Sequence, residues 1–102
     1  MSAPVPAIDR AIRVLYLFKN GSKKEYGVSE ISRLLSLNKS TVHNILNTLT
    51  QYKFLEQDDA TRGYRLGPAL AELGSLVRNQ FDVREAAQPA MRRLDIEALA
   101  RR

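Results

Sequence analysis

The chain reads as mostly α-helical with one small β-hairpin, and three observations in its 102 residues predict this. Apolar residues recur at helical spacing in three successive N-terminal segments. Two short stretches rich in strand formers then flank a turn, and a further apolar stripe at helical spacing opens directly after the second of them.

In the first segment, Ile8, Ala11, Ile12, Leu15 and Phe18 share one helical face up to Lys19, and Val14 and Leu17 widen it, which points to two packing partners. Asn20-Gly21-Ser22 is expected to end this helix, with Gly21 in the left-handed conformation. A second helix is expected from Val28. Gly27 stands at its N-cap, Glu30 lies three residues on, and Val28, Ile31, Leu34 and Leu35 supply the buried stripe. After a turn at Ser36-Leu37, Asn38 can cap a third helix whose apolar stripe is Val42, Ile45, Leu46 and Leu49. The opposite side carries Ser40, Asn44, Asn47 and Gln51, flanked by His43 on one edge and by Thr41 and Thr48 on the other.

Phe54–Gln57 and Gly63–Leu66 read as strands joined by the turn formers of Asp58–Arg62. Gly67-Pro68 then opens a helix to about Asn79, with Leu66, Leu70, Leu73 and Val77 on one stripe, broadened by Ala69 and Leu76. Asp82 is expected to cap a further segment, with Glu85 completing the pattern and Pro89 kinking or restarting it. No stop signal follows before Arg102, so that end reads as a cut.

Composition narrows the function. The chain has no cysteine, so disulfide and thiolate-metal chemistry are out. With one histidine, no tryptophan and scattered acids, no nucleophile-base pair or metal cluster stands out, and the chain is short for enclosing a pocket beside its core. No catalysis, cofactor or metal is expected. Residues 1–6 have neither the basic nor the apolar region of a leader, and no apolar run reaches bilayer length. A cytoplasmic domain with a short disordered arm, and no membrane partner, is the expectation.

Sixteen Lys and Arg stand against 11 Asp and Glu, a formal net charge of +5. The surplus is uneven: between Glu30 and Glu56 there is no acid, while Arg33, Lys39 and Lys53 lie in that stretch, so a polyanion can approach it without repulsion. Three helices, a tight connection between the second and third, and a hairpin make the winged helix-turn-helix order, in which the third helix is the natural groove reader. Asn44 and Asn47 can each pair a donor and an acceptor with an adenine edge. Lys39, Ser40 and Thr41 stand at the helix N-terminus, where backbone N–H groups and the dipole favour a phosphate. Ser40 and Thr41 are equally suited to capping, and His43 to packing against the hairpin, as to touching DNA. Arg62 at the hairpin tip suits a phosphate or a minor groove, although Asp58 and Asp59 beside it are repelled there. The competing reading, a winged helix that binds protein partners, lacks the large aromatic residue that such interfaces usually centre on.

These residues resemble the IclR-type bacterial transcriptional regulators. The resemblance rests on Ile8-Asp9-Arg10-Ala11-Ile12-Arg13-Val14-Leu15, Ser29-Glu30-Ile31, Leu37-Asn38-Lys39-Ser40-Thr41-Val42-His43, Tyr64-Arg65-Leu66-Gly67 and Leu73-Gly74. It implies a DNA-binding domain joined by a linker helix to a C-terminal effector-binding domain, and it carries the DNA-contact role to Lys39, Ser40, Thr41, His43, Asn44 and Arg62. The sequence departs from the family where Ser36 and Lys53 replace turn glycines, where Asn44 replaces a frequent arginine, and where Ala7 replaces a capping serine.

The resulting expectation is an arm at residues 1–6, a winged helix-turn-helix at 7–67 and a linker helix at 68–80, with the truncated start of an effector domain at 81–102. Within the second part, the helix-turn-helix spans about 27–51 and the wing about 54–66. The partners expected are double-stranded operator DNA of palindromic form and a second protomer, paired through Leu70, Leu73, Gly74 and Val77. A small-molecule effector is expected only through a domain absent from this chain.

Overall fold

A computed structural model of the chain describes residues 2–85. Its elements are α1 (Pro6–Asn20), α2 (Val28–Leu35), α3 (Lys39–Gln51), β1 (Leu55–Gln57), β2 (Tyr64–Leu66) and α4 (Pro68–Glu85), which is the expected order. The chain divides into two units, Met1–Leu70 and Ala71–Arg102. The expected kink at Pro89 and the run to Arg102 lie outside the described residues.

The first helix begins earlier than its periodicity suggested. Pro6 supplies the preset φ of a first turn, Asp9 faces the positive end of the dipole, and no side chain caps Val5. Its apolar face splits. Val14 and Phe18 are buried, whereas Ile8 and Ile12 are 58% and 47% exposed. The apolar arc is wider than the side that α2, α3 and β2 cover. Leu34, placed in the buried stripe of α2, is likewise half exposed.

Gly21 is not left-handed: its φ of −83° and ψ of 169° are extended. What it supplies is room, because a Cβ there would overlap the Tyr26 hydroxyl and lie 2.8 Å from the Leu17 carbonyl oxygen. Tyr26 in turn stands edge-on to Phe18, ring centroids 5.3 Å apart, and its hydroxyl accepts the Lys23 N–H at 3.2 Å.

Left-handed backbone is found instead after each of the two helices of the helix-turn-helix. After α2, Ser36 has φ 56°; its N–H donates to the Arg33 carbonyl at 3.4 Å and the Leu37 N–H to the Ser32 carbonyl at 3.0 Å. After α3, Lys53 has φ 67°, its N–H donates to Thr50 at 3.1 Å and the Phe54 N–H to Leu49 at 2.9 Å. Both are Schellman closures, built at a non-glycine residue. The Ser32 hydroxyl also donates to the Leu37 carbonyl and fastens the first turn.

The hairpin pairs Leu55 with Leu66, Glu56 with Arg65 and Gln57 with Tyr64. A third, one-residue strand at Tyr26 joins it, exchanging backbone hydrogen bonds of 2.9 and 2.8 Å with Tyr64. The core lies under these elements: Val14, Ile31, Val42, Leu46 and Leu55 are fully buried, with Phe18, Tyr26 and Tyr64 completing it. Gly67 leaves the wing through a crowded passage. Its N–H donates to Phe54 at 2.8 Å, and a Cβ would overlap the Lys53 carbonyl, which itself accepts the Ala69 N–H at 2.9 Å.

The fourth helix shows no break near Asn79. It continues to Glu85, so Asp82 lies inside a helix and does not cap a new one. No glycine or proline occurs between Ser75 and Glu85, and one interior aspartate costs less than the roughly 1 kcal/mol of a glycine.

Gly67→Ala should cost about 1–3 kcal/mol of unfolding free energy, because the added methyl meets backbone that cannot yield. Lys53→Gly should add roughly 0.5–1 kcal/mol by removing a left-handed side-chain penalty. Urea denaturation followed by circular dichroism checks both, and a stabilising G67A or a destabilising K53G would contradict the geometry.

Candidate nucleic-acid interface

Asn38 sets the start of α3. Its side-chain oxygen accepts the Thr41 N–H at 2.8 Å and the Ser40 hydroxyl at 3.0 Å. Asn38 therefore does the capping. Thr41 contributes a backbone donor to it and its side chain is half buried, while the one hydroxyl proton of Ser40 is spent on Asn38.

Burying Val42 and Leu46 turns the other side of α3 to solvent, and Lys39, Ser40, His43, Asn44 and Asn47 are all exposed. Among the described residues the Asn44 amide makes no hydrogen bond. It borders a shallow apolar groove lined by Ala7, Ala11, Ile45, Thr48 and Leu49. The Thr48 hydroxyl donates to the Asn44 backbone carbonyl at 3.0 Å, so its proton is committed to the helix although the side chain is exposed. Asn47 is engaged, its amide nitrogen 3.3 Å from Nδ1 of His43 one turn earlier. His43 thus has a hydrogen-bond partner within its own helix.

The wing is tied down by charge. The Arg65 guanidinium lies 3.3 Å from both Glu56 and Asp58 and 3.6 Å from Glu25. The Thr61 hydroxyl donates to Glu25 as well. These pairs are half exposed and each contributes little to stability, but together they occupy the cation of the Tyr-Arg-Leu-Gly run. Asp58 also closes the turn, its carboxylate accepting the Ala60 and Thr61 N–H groups at 2.8 and 2.9 Å. Arg62 stands at the end of this turn with φ 64° and an exposed side chain, while its backbone is fixed by Asp58 and Gln57. Asp59 is exposed nearby.

Sequence reasoning missed the role of Glu25, which meets Thr61 across 36 positions, and the left-handed Arg62. No local pattern signals the first. The second had a weak signal in the crowding of turn formers without a glycine at positions 58–62.

On α4, Leu73, Leu76 and Val77 are exposed and Leu70 is half buried. A Cβ on Gly74 would meet the Arg78 guanidinium at 3.4 Å.

A three-helix unit closed by a hairpin, with an acid-free polar face on its third helix, defines a winged helix-turn-helix domain. The IclR helix-turn-helix domain matches residues 7–59. The chain is 36% identical over 84 residues to the HTH-type transcriptional regulator XynR of Escherichia coli, covering 82% of this chain and 33% of that protein. It is 38% identical over 87 residues to the glycerol operon regulatory protein of Streptomyces coelicolor, covering 85% and 34%. Among solved structures, an IclR family regulator from Brucella abortus superposes with TM-score 0.72 at 29% identity, covering 84% of this chain and 32% of that one. A regulator from Alicyclobacillus acidocaldarius gives 0.68 at 36% identity, covering 72% and 29%. The chain belongs to the IclR family of transcriptional regulators and carries its DNA-binding helix-turn-helix domain. It spans about a third of the length of the curated relatives it matches.

The Asp58 carboxyl is held below its ordinary value of 3.8, first by the Thr61 and Ala60 N–H groups and then by Arg65. A depressed carboxyl contributes stability that is complete above the ordinary value and is lost as the pH falls through the lowered one. The Ala60 and Thr61 amide resonances should therefore shift with acid along a titration whose midpoint lies below 3.8. Asp58→Asn should abolish that transition, and a midpoint above the ordinary value in the unaltered chain would contradict the hydrogen bonds.

Proposed function

We propose that this domain binds a palindromic duplex operator as a homodimer, α3 in the major groove and the wing on the adjacent backbone or minor groove. The observation that carries the reading is the exposed face of α3. Its Asn44 side chain is exposed and its amide makes no hydrogen bond among the described residues, which leaves a donor and an acceptor for an adenine edge. Lys39 meets a phosphate at the helix N-terminus, with the hydroxyls of Ser40 and Thr41 beside it. His43 and Asn47 belong to the same DNA-facing side of α3, and Arg62 supplies the wing's cation. Leu70, Leu73, Gly74 and Val77 pair two protomers along α4, supported by the exposure of Leu73 and Val77. Any small-molecule effector is sensed by a part of the longer regulator that this chain does not contain. No helix among the described residues is long and apolar enough to cross a membrane, which is consistent with action in the cytoplasm.

Selection of bound duplexes from a random library supplies the operator and its half-site spacing. On it, with about four phosphates met per protomer, log K should fall with log salt at a slope of about −7. A slope near zero, measured by anisotropy, would remove the DNA reading. Asn44→Ala should cost about 1–3 kcal/mol on the selected duplex and little on random DNA. Equal losses on both would reduce Asn44 to a positioning role.

A further inference from the structure

We infer that His43 and Asn47 act as one reading unit, in which Asn47 fixes the imidazole tautomer and the ring's Nε2–H donates to N7 or O6 of a guanine in the bound duplex. The inference rests on the DNA reading above. Its starting point is the 3.3 Å approach of the Asn47 amide nitrogen to His43 Nδ1. With its amide nitrogen toward the ring, Asn47 donates and Nδ1 accepts, and the proton of a neutral ring then sits on Nε2.

Helix geometry makes that proton the outermost polar group of the pair. Side chains on a helix lean toward its N-terminus, so Asn47 reaches back one turn onto the ring, and the ring extends further the same way. Nδ1 is the nitrogen nearer the backbone and is engaged by Asn47. Nε2 is the distal one, on a residue that is exposed. A ring with both tautomers available would read donors and acceptors alike. One held as Nε2–H reads acceptors, and guanine presents two of them side by side in the major groove. Asn47 is then a positioning residue and not a base contact, which leaves Asn44 as the asparagine that meets an adenine.

His43 is the sole histidine of the chain, so its ring nitrogens give an unambiguous spectrum. Long-range nitrogen-proton correlation on the free full chain, with the ring neutral, should show Nε2 protonated and Nδ1 bare. N47D, which offers only acceptors, should draw the proton to Nδ1. A protonated Nδ1 in the unaltered chain, or a tautomer indifferent to N47D, overturns the inference.

The second arm uses duplexes selected by the chain, with each guanine replaced in turn by 7-deazaguanine, which lacks the N7 acceptor, and by 2-aminopurine, which lacks O6. One position per half-site should weaken binding by about fivefold, the size of a single hydrogen bond. H43N should be insensitive there, its amide being too short, whereas H43Q should keep most of the discrimination because its amide reaches the place of Nε2. Salt-dependent binding with no guanine whose effect depends on residue 43 overturns the reading unit and leaves the DNA-binding proposal standing. Loss of salt dependence altogether removes both.

Discussion

The orientation of α3 depends on two left-handed residues. Ser36 and Lys53 close the helices before and after the connection with the same pair of hydrogen bonds, and each turn reverses the chain within one residue. Those reversals let Val42 and Leu46 meet Ile31 and Leu55 in one core while the polar side of α3 stays outside. Glycine would adopt both conformations without side-chain penalty. That the turns form at serine and lysine shows how strongly the surrounding core determines them, aided by the Ser32 hydroxyl at the first and by the Ala69 N–H on the Lys53 carbonyl at the second.

Charge divides the domain into a surface that can meet an anion and one that is occupied with itself. The segment from Arg33 to Lys53 carries its cations without an intervening acid. The wing gathers Glu25, Glu56 and Asp58 around Arg65, which spends that guanidinium on holding the hairpin to the body. Arg62 is left as its outward cation with Asp59 beside it, so the wing's contribution to an anionic partner is smaller than the length of the Tyr-Arg-Leu-Gly match suggests.

The polar residues of α3 also differ in what they have left to offer. Ser40 has given its proton to Asn38, Thr48 has turned to the backbone, and Asn47 is engaged with His43. Asn44 retains its donors and its acceptor. Counting exposed polar side chains overstates the number of independent readers, because neighbours one turn apart satisfy each other before any partner arrives.

The order of elements, the core stripe of α3 and the Asn38 cap were legible in the sequence, because periodicity and capping are local properties that one segment expresses without its neighbours. The left-handed sites at Ser36 and Lys53 were legible through family resemblance, as departures from glycine. Only the tertiary structure decided that Gly21 is needed for space beside Tyr26, that Ile8 and Ile12 face outward, and that Asp82 stays helical. It alone joined Tyr26 to the hairpin and Glu25 to Arg65. Each of these turns on which atoms approach from a distant part of the chain, and a pattern read along one segment contains no information about that approach.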